Sequence, residues 1–281
     1  MTAPAQRTAA VRTRMIEVDG QRLRVAIQPG RDHGAPLLLL NGLGANLELF
    51  QPFVDALGGI ETIRIDLPGA GRSPAPARLL RFPGLARLVV CVLDRLGHET
   101  VDVLGVSWGG ALAQQLAYQH PDRCRRLILV STGTGAVMVP GRLSTLLALA
   151  SPRRYRDPEY MASIAGSLYG GRLRSEPELV TRFARAVRAG DRDGYYRQLL
   201  AGFGWTSIHW LHRLRQPTLI LTGRDDPIVP AVNGRIMACL IPNSTLHVFD
   251  DGHLGLVTSA KKLAPIVRTF LTESEGRASC R

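Results

Sequence analysis

The 281-residue chain contains no apolar run near the ~18 residues that a membrane span requires. Its longest candidates, 37–40 and 88–93, suit a buried core. Residues 1–14 carry arginines but no apolar stretch of signal-peptide length, so nothing in them points to export. Cysteine is sparse. Cys91, Cys124, Cys239 and Cys280 are scattered, with no C-x-x-C and no Cys/His ligand spacing. The expectation is reduced structural thiols in a cytoplasmic protein with no metal and no cofactor. Lysine is almost missing, with Lys261 and Lys262 the only two among 35 basic residues, and the net charge is +12. Such a charge raises the question of nucleic acid or an anionic surface. No nucleic-acid motif accompanies it, and the arginines are dispersed among acids. A solvated surface and no nucleic-acid partner are expected. What is present is 45% apolar composition, enough for one large core.

The most informative stretch is Gly105-Val106-Ser107-Trp108-Gly109-Gly110. Val101 to Leu104 before it read as a buried strand, and Ala111 to Tyr118 after it read as a helix. Strand, G-x-S-x-G, helix resembles the nucleophile elbow of the α/β-hydrolases. Such a turn strains Ser107 and exposes its hydroxyl. Gly105 and Gly109 flank it because side chains there would collide with neighbouring backbone, and Gly110 allows close packing behind. The following helix points its positive end at the reacting group.

The rest of the chain fits that frame. Arg14 to Val18 and Arg22 to Gln28 flank Asp19-Gly20 as a hairpin, after a loose tail over residues 1–13. Strands are expected at Pro36 to Leu40, Glu61 to Asp66, Val101 to Gly105, Arg126 to Val130, Pro217 to Leu221 and Thr245 to Phe249. Helices are expected at Leu47 to Leu57, Pro83 to Leu96, Ala231 to Leu240 and Lys261 to Glu273. The fold class is α/β: an α/β-hydrolase fold with a mostly parallel eight-stranded sheet, helices on both faces and a helical cap insertion. Core segments are 1–135 and 216–281. The cap is 136–215, which lacks strand–helix alternation and holds nine of the chain's sixteen aromatics. It also carries thirteen arginines against six acids. An amphipathic cap would lay its apolar face over the site and keep charge outside.

Ser107 needs a base, because an unassisted hydroxyl is a poor nucleophile near neutral pH. His253 lies just past the last strand, where a loop reaches the sheet edge that carries Ser107. His247 sits inside that strand and reads as structural. The acid is expected after the strand at 217–221, in G-x-x-D-x-x-x-P, at Asp226, with Asp225 as the alternative. Asp250 and Asp251 read as surface turn residues. The order Ser, Asp, His matches the α/β-hydrolases. Asn41-Gly42-Leu43-Gly44 resembles their oxyanion loop, so the main-chain N–H groups of Leu43 and Trp108 are the expected oxyanion donors. Asp66-Leu67-Pro68-Gly69-Ala70-Gly71-Arg72-Ser73 reads as an architectural turn. The implied chemistry is ester hydrolysis through an acyl-enzyme. Dehalogenase chemistry is excluded, since it needs an aspartate at position 107.

Longer stretches narrow the resemblance. Asn41 to Leu49, Arg81 to Ala86, Gly105 to Gln115, Gly135 to Gly141, Ala150 to Tyr155 and Gly202 to His212 are similar to the intracellular medium-chain-length poly(3-hydroxyalkanoate) depolymerases. That resemblance implies a triad at Ser107, Asp226 and His253. It also implies a polyester in cytoplasmic storage granules as substrate, and attachment to the hydrophobic granule. Gly255 departs from the bulky apolar residue frequent in that group, and is expected to alter the pocket beside His253. The competing reading is a soluble carboxylesterase or lactonase for small apolar esters. A non-catalytic granule scaffold is disfavoured by the intact triad.

Overall fold

The structure, a computed structural model, describes residues 11–32, 34–186 and 190–273. The expected tail over 1–13 lies mostly outside these residues, as do His33 and Cys280. Arg12 and Thr13 already belong to the first strand, paired with Ile27 and Ala26.

Eight strands form one sheet in the order β1-β2-β4-β3-β5-β6-β7-β8. They are β1 (Arg12–Val18), β2 (Gln21–Gln28), β3 (Leu37–Leu40), β4 (Thr62–Ile65), β5 (Val101–Val106), β6 (Cys124–Val130), β7 (Thr218–Gly223) and β8 (Ser244–Phe249). The pairs β1–β2 and β2–β4 are antiparallel, and the other pairs are parallel. Edge strand β1 is largely exposed, whereas β3 and β5 are buried along their whole length. Continuous apolar runs such as Leu37–Leu40 therefore mark central strands covered on both faces.

Helices cover both faces. On one face α2 (Phe82–Leu96) and α3 (Trp108–Gln119) bury Leu85, Val89, Leu112 and Leu116, joined by Met237 of α9 (Val232–Leu240). On the other, α1 (Gln51–Leu57) and α11 (Ala260–Thr272) bury Phe53, Val54, Leu263 and Val267. Each such side chain stabilises the fold by about 1.5–3 kcal/mol relative to exposure. The expected single helix over 47–57 is divided. A 3-10 turn spans Leu47–Phe50 and α1 begins at Gln51, with Pro52 in its first turn. Proline lacks the N–H that a continuous helix would need there, so the break falls where its absence costs nothing.

Among the described residues between β6 and β7 are five α-helices: α4 (Leu143–Leu149), α5 (Arg153–Arg156), α6 (Pro158–Tyr169), α7 (Pro177–Ala186) and α8 (Arg192–Gly202). Met161, Leu168, Tyr169 and Phe183 of this inserted segment form a third apolar cluster with Ala45, Leu49, Ile228 and Val229. Its helices thereby pack on the loops that leave the carboxyl ends of the strands, where sheets of this type place their ligands. A short four-residue helix, α10 (Gly255–Thr258), precedes α11.

Candidate active site

Ser107 sits between β5 and α3 with φ 55° and ψ −119°, a positive-φ conformation rare for a residue with a side chain. Its surroundings enforce that turn. A Cβ at Gly105 would meet the Gly109 carbonyl oxygen at 2.3 Å, and one at Gly109 would meet that of Leu40 at 2.2 Å. The Ser107 amide donates to Val130 O, and the Thr132 hydroxyl donates to Ser107 O at 2.8 Å. Strain of this kind costs about 1–3 kcal/mol and persists only where packing over-determines it.

His253 follows β8, and its own amide donates to Tyr169 O at 2.8 Å. Its Nδ1 lies 2.8 Å from Asp226 Oδ2, and both side chains are buried. The other Asp226 oxygen, Oδ1, accepts the amides of Ile228 and Val229, each at 2.9 Å. Asp226 therefore has one oxygen committed to main chain and one to the histidine. That pairing fixes the proton on Nδ1 and leaves Nε2 as the basic atom.

Asp225, the alternative acid, faces elsewhere. Its Oδ2 accepts Arg174 Nε and the Gly171 amide, each at 2.8 Å. Its side chain is 48% exposed, against 0% for Asp226. The bond from Arg174 holds the Asp225 carboxyl below the usual carboxylate range. A depressed folded value means its stabilisation is complete above the unfolded carboxylate's pKa of about 3.9 and fades as pH falls through the folded value. Asp225→Asn is expected to lower stability by no more than about 1 kcal/mol at pH 7, because the pair is partly solvated. As pH falls through the lowered folded value the two melting temperatures should converge in calorimetry.

Asp251 corrects the reading of residues 250–251 as surface turn. Asp250 is exposed beside Arg224, but Asp251 is buried. Its Oδ1 accepts the amides of Arg172 and Gly252, and its Oδ2 accepts the hydroxyls of Thr258 and Ser259. It ties the inserted segment and α10 to the loop that carries His253. A Cβ at Gly255 would meet the Phe249 ring at 2.1 Å, so Phe249 occupies the space beside it.

Ser107, Trp108, Leu43 and His253 line one cavity of about 150 Å³, together with Tyr155 and Tyr169. Leu43 lies in the loop after β3. The amides of Gly42 and Gly44 are taken by Asn41 Oδ1 and Gln198 Oε1. Among the described residues, those of Leu43 and Trp108 have no acceptor. Gly44 is required by its φ of 71° and by Tyr155 and Tyr195, which a Cβ would strike. Gly42 is not crowded in this way. Asp66 and Ser73 are architectural as expected. Asp66 accepts the amides of Leu47 and Arg72, and the Ser73 hydroxyl donates to Asp66 O. Burial pushes the Asp66 carboxyl up, against the pull of those amides.

Residues that the sequence did not single out come from the inserted segment. The Tyr155 hydroxyl donates to Leu43 O at 2.8 Å. The Gln198 amide donates to Pro68 O while its oxygen holds Gly44, and the Trp108 indole donates to Gln198 O. Arg154 is buried among Tyr155, Tyr195 and Leu43. Tyr169 stacks at 18° to the His253 ring. Burial pushes the Tyr169 phenol well above its ordinary range and that of Tyr195 up to about 12, so both stay neutral. The expectation of apolar inside and charge outside fails at Arg154. It fails again at Leu143, Leu147 and Phe203, which are 72%, 65% and 75% exposed.

His253, paired with the buried Asp226, shares a cavity with the strained Ser107 at the carboxyl edge of a mostly parallel sheet. The α/β hydrolase fold family matches residues 35–260, and the chain belongs to it. The protein is a carboxylic ester hydrolase, and its relatives include a poly(3-hydroxyalkanoate) depolymerase of Ectopseudomonas oleovorans. That relative is 52% identical over 266 residues, which is 94% of each chain. A 2-hydroxymuconate semialdehyde hydrolase of Pseudomonas putida is 30% identical over 86% of this chain and 89% of its own. Among solved structures, the enol-lactonase of Burkholderia xenovorans LB400 superimposes with a TM-score of 0.79 at 25% identity. It covers 92% of this chain and 100% of its own.

Proposed function

We propose that the chain hydrolyses the ester bonds of medium-chain-length poly(3-hydroxyalkanoate) in cytoplasmic storage granules. Residues 136–215 act as a cap over the site, on a core of 1–135 and 216–281. The Ser107 hydroxyl attacks the ester carbonyl as His253 Nε2 takes its proton. Asp226 holds the tautomer and balances the imidazolium. The amides of Leu43 and Trp108 receive the oxyanion. The 3-hydroxyacyl alcohol leaves with the proton from His253. Water activated by His253 then releases the acid. The observation that carries this reading is the Asp226–His253 pair at 2.8 Å on the cavity that Ser107 lines. Similarity to the depolymerase over 94% of the chain supports the choice of ester.

The surface of the inserted segment supports a polymeric, apolar substrate. Leu143 and Leu147 lie one helical turn apart on α4, exposed, and Val137, Val139 and Phe203 are exposed on other parts of the same insertion. The exposed Leu143–Leu147 pair is the surface this reading assigns to the polymer. Among the described residues no helix is long and apolar enough to cross a membrane. Leu143→Asp with Leu147→Asp is expected to lower the rate on polymer latex about tenfold while leaving p-nitrophenyl octanoate hydrolysis within about twofold, since surface substitutions alter stability little. The testing experiment is clearing of a medium-chain-length polyhydroxyalkanoate latex, with acid products identified, by wild type and Ser107→Ala. Ser107-dependent clearing is the expected result. No clearing, with octanoate ester still hydrolysed, would assign the protein to small soluble esters instead.

A further inference from the structure

Arg154 is 2% exposed, and its guanidinium meets only neutral groups. Nη1 donates to the Tyr195 hydroxyl at 2.6 Å, and Nη2 reaches Leu43 O at 3.3 Å and the Tyr155 hydroxyl at 3.5 Å. The charge also lies over the Tyr155 and Tyr195 rings, with centroids at 4.5 and 5.2 Å. Among the described residues no carboxylate pairs with it, and its buried Nε has no hydrogen-bond partner. Arginine cannot shed its proton to escape this cost. A buried cation left uncompensated is expensive, and a ligand anion would remove the penalty. Arg154 lines the same cavity as Ser107 and His253, and no carboxylate lines that cavity.

We propose that Arg154 binds the free carboxylate at the acid end of the substrate, so that the enzyme removes terminal 3-hydroxyacid units. This deepens the function proposed above and rests on it. A polyester of 3-hydroxyacids has a hydroxyl at one end and a carboxylate at the other. When the terminal ester is cleaved, the leaving group is the last 3-hydroxyacid. Its carboxylate carbon is about four bonds, or roughly 5 Å, from the scissile carbonyl carbon. The Leu43 carbonyl touched by Arg154 belongs to the residue whose amide faces the oxyanion in the proposed mechanism, so the guanidinium and the reacting carbonyl have Leu43 as a common neighbour. Ser107 Oγ bonds to the carbonyl carbon and the carbon–alkoxy bond breaks. The leaving oxygen takes the proton held by His253, freeing the 3-hydroxyacid. Water then cleaves the acyl-enzyme and returns a proton to Ser107. The shortened chain now ends in a new carboxylate, which is again a substrate for the same subsite.

The test compares the dimer of 3-hydroxyoctanoate with a free carboxylate against the same dimer capped as a primary amide. Both have the same scissile ester. Wild type is expected to favour the acid roughly 10–100-fold in kcat/KM, mainly through KM, as for a hydrogen bond to a charged group. Arg154→Met is expected to slow both dimers, because Arg154 also braces Leu43, and to bring their ratio near one. Arg154→Lys should restore part of the ratio. A wild-type ratio near one, or a ratio that survives in Arg154→Met, overturns the proposal. The first of these comparisons needs no variant to fold. Hydrolysis of p-nitrophenyl octanoate is measured in parallel with Ser107→Ala. A flat ratio with Ser107-dependent ester cleavage sinks only the Arg154 subsite. Absence of any Ser107-dependent cleavage sinks the functional reading, and the subsite with it.

Discussion

Ser107→Ala is expected to lower kcat on p-nitrophenyl octanoate by roughly 10⁶, the scale seen when a serine nucleophile is removed from a triad. The variant should fold as wild type does. Alanine at φ 55° bears the same backbone strain as serine, and the glycines at 105 and 109 that permit the turn are untouched. The elbow is held by main chain and by Thr132, which donates to the Ser107 carbonyl rather than to its hydroxyl. Melting temperatures of the two proteins should therefore agree within about 2 °C, corresponding to about 1 kcal/mol or less. Loss of activity together with loss of folding would show that the hydroxyl is structural. Activity retained within tenfold would remove Ser107 from the mechanism.

The parts of this site that were legible in the sequence are those whose backbone demands a particular residue. The elbow announces itself because glycine alone fits at 105 and 109. Asp226 was read from its distance to Pro230, and Asp225 separates from it only in three dimensions, by its bond to Arg174. His253 stood out because it follows the last strand. The remainder depends on partners distant along the chain. Tyr155 reaches Leu43 across 112 positions, and Gln198 reaches Gly44 across 154. Neither leaves a local pattern. Asp251 looked like a turn residue because one turn residue and one buried acceptor have the same letter. Its four bonds come from Arg172, Gly252, Thr258 and Ser259, contributed in part by the inserted segment. Arg154 contradicts the rule that charge stays outside, and such a violation is what a polar ligand contact inside an apolar cavity would require.

Asp226→Asn is expected to be the next most damaging change, about a hundredfold milder than loss of the nucleophile, with kcat reduced by about 10⁴. The reason lies in how the two carboxylate oxygens are used. Oδ1 accepts from the amides of Ile228 and Val229, and those donors remain in the variant. They can be satisfied only by the carbonyl oxygen of the new side-chain amide, so its NH2 must face His253 Nδ1. A ring nitrogen facing a donor must act as acceptor, which moves the ring proton to Nε2. The imidazole then presents a proton where a base is needed. The substitution is nearly isosteric and the neutral side chain is cheaper to bury, so folding should be preserved. The nitrogen NMR shifts of the His253 ring check the tautomer directly: wild type should show Nδ1 protonated and the variant Nε2. Asp225→Asn provides the contrast. Its loss weakens a solvent-facing bond to Arg174 and leaves the histidine alone, so kcat should stay within about twofold. If Asp225→Asn lost activity and Asp226→Asn kept it, the acid would have to be reassigned, and with it the tautomer of His253.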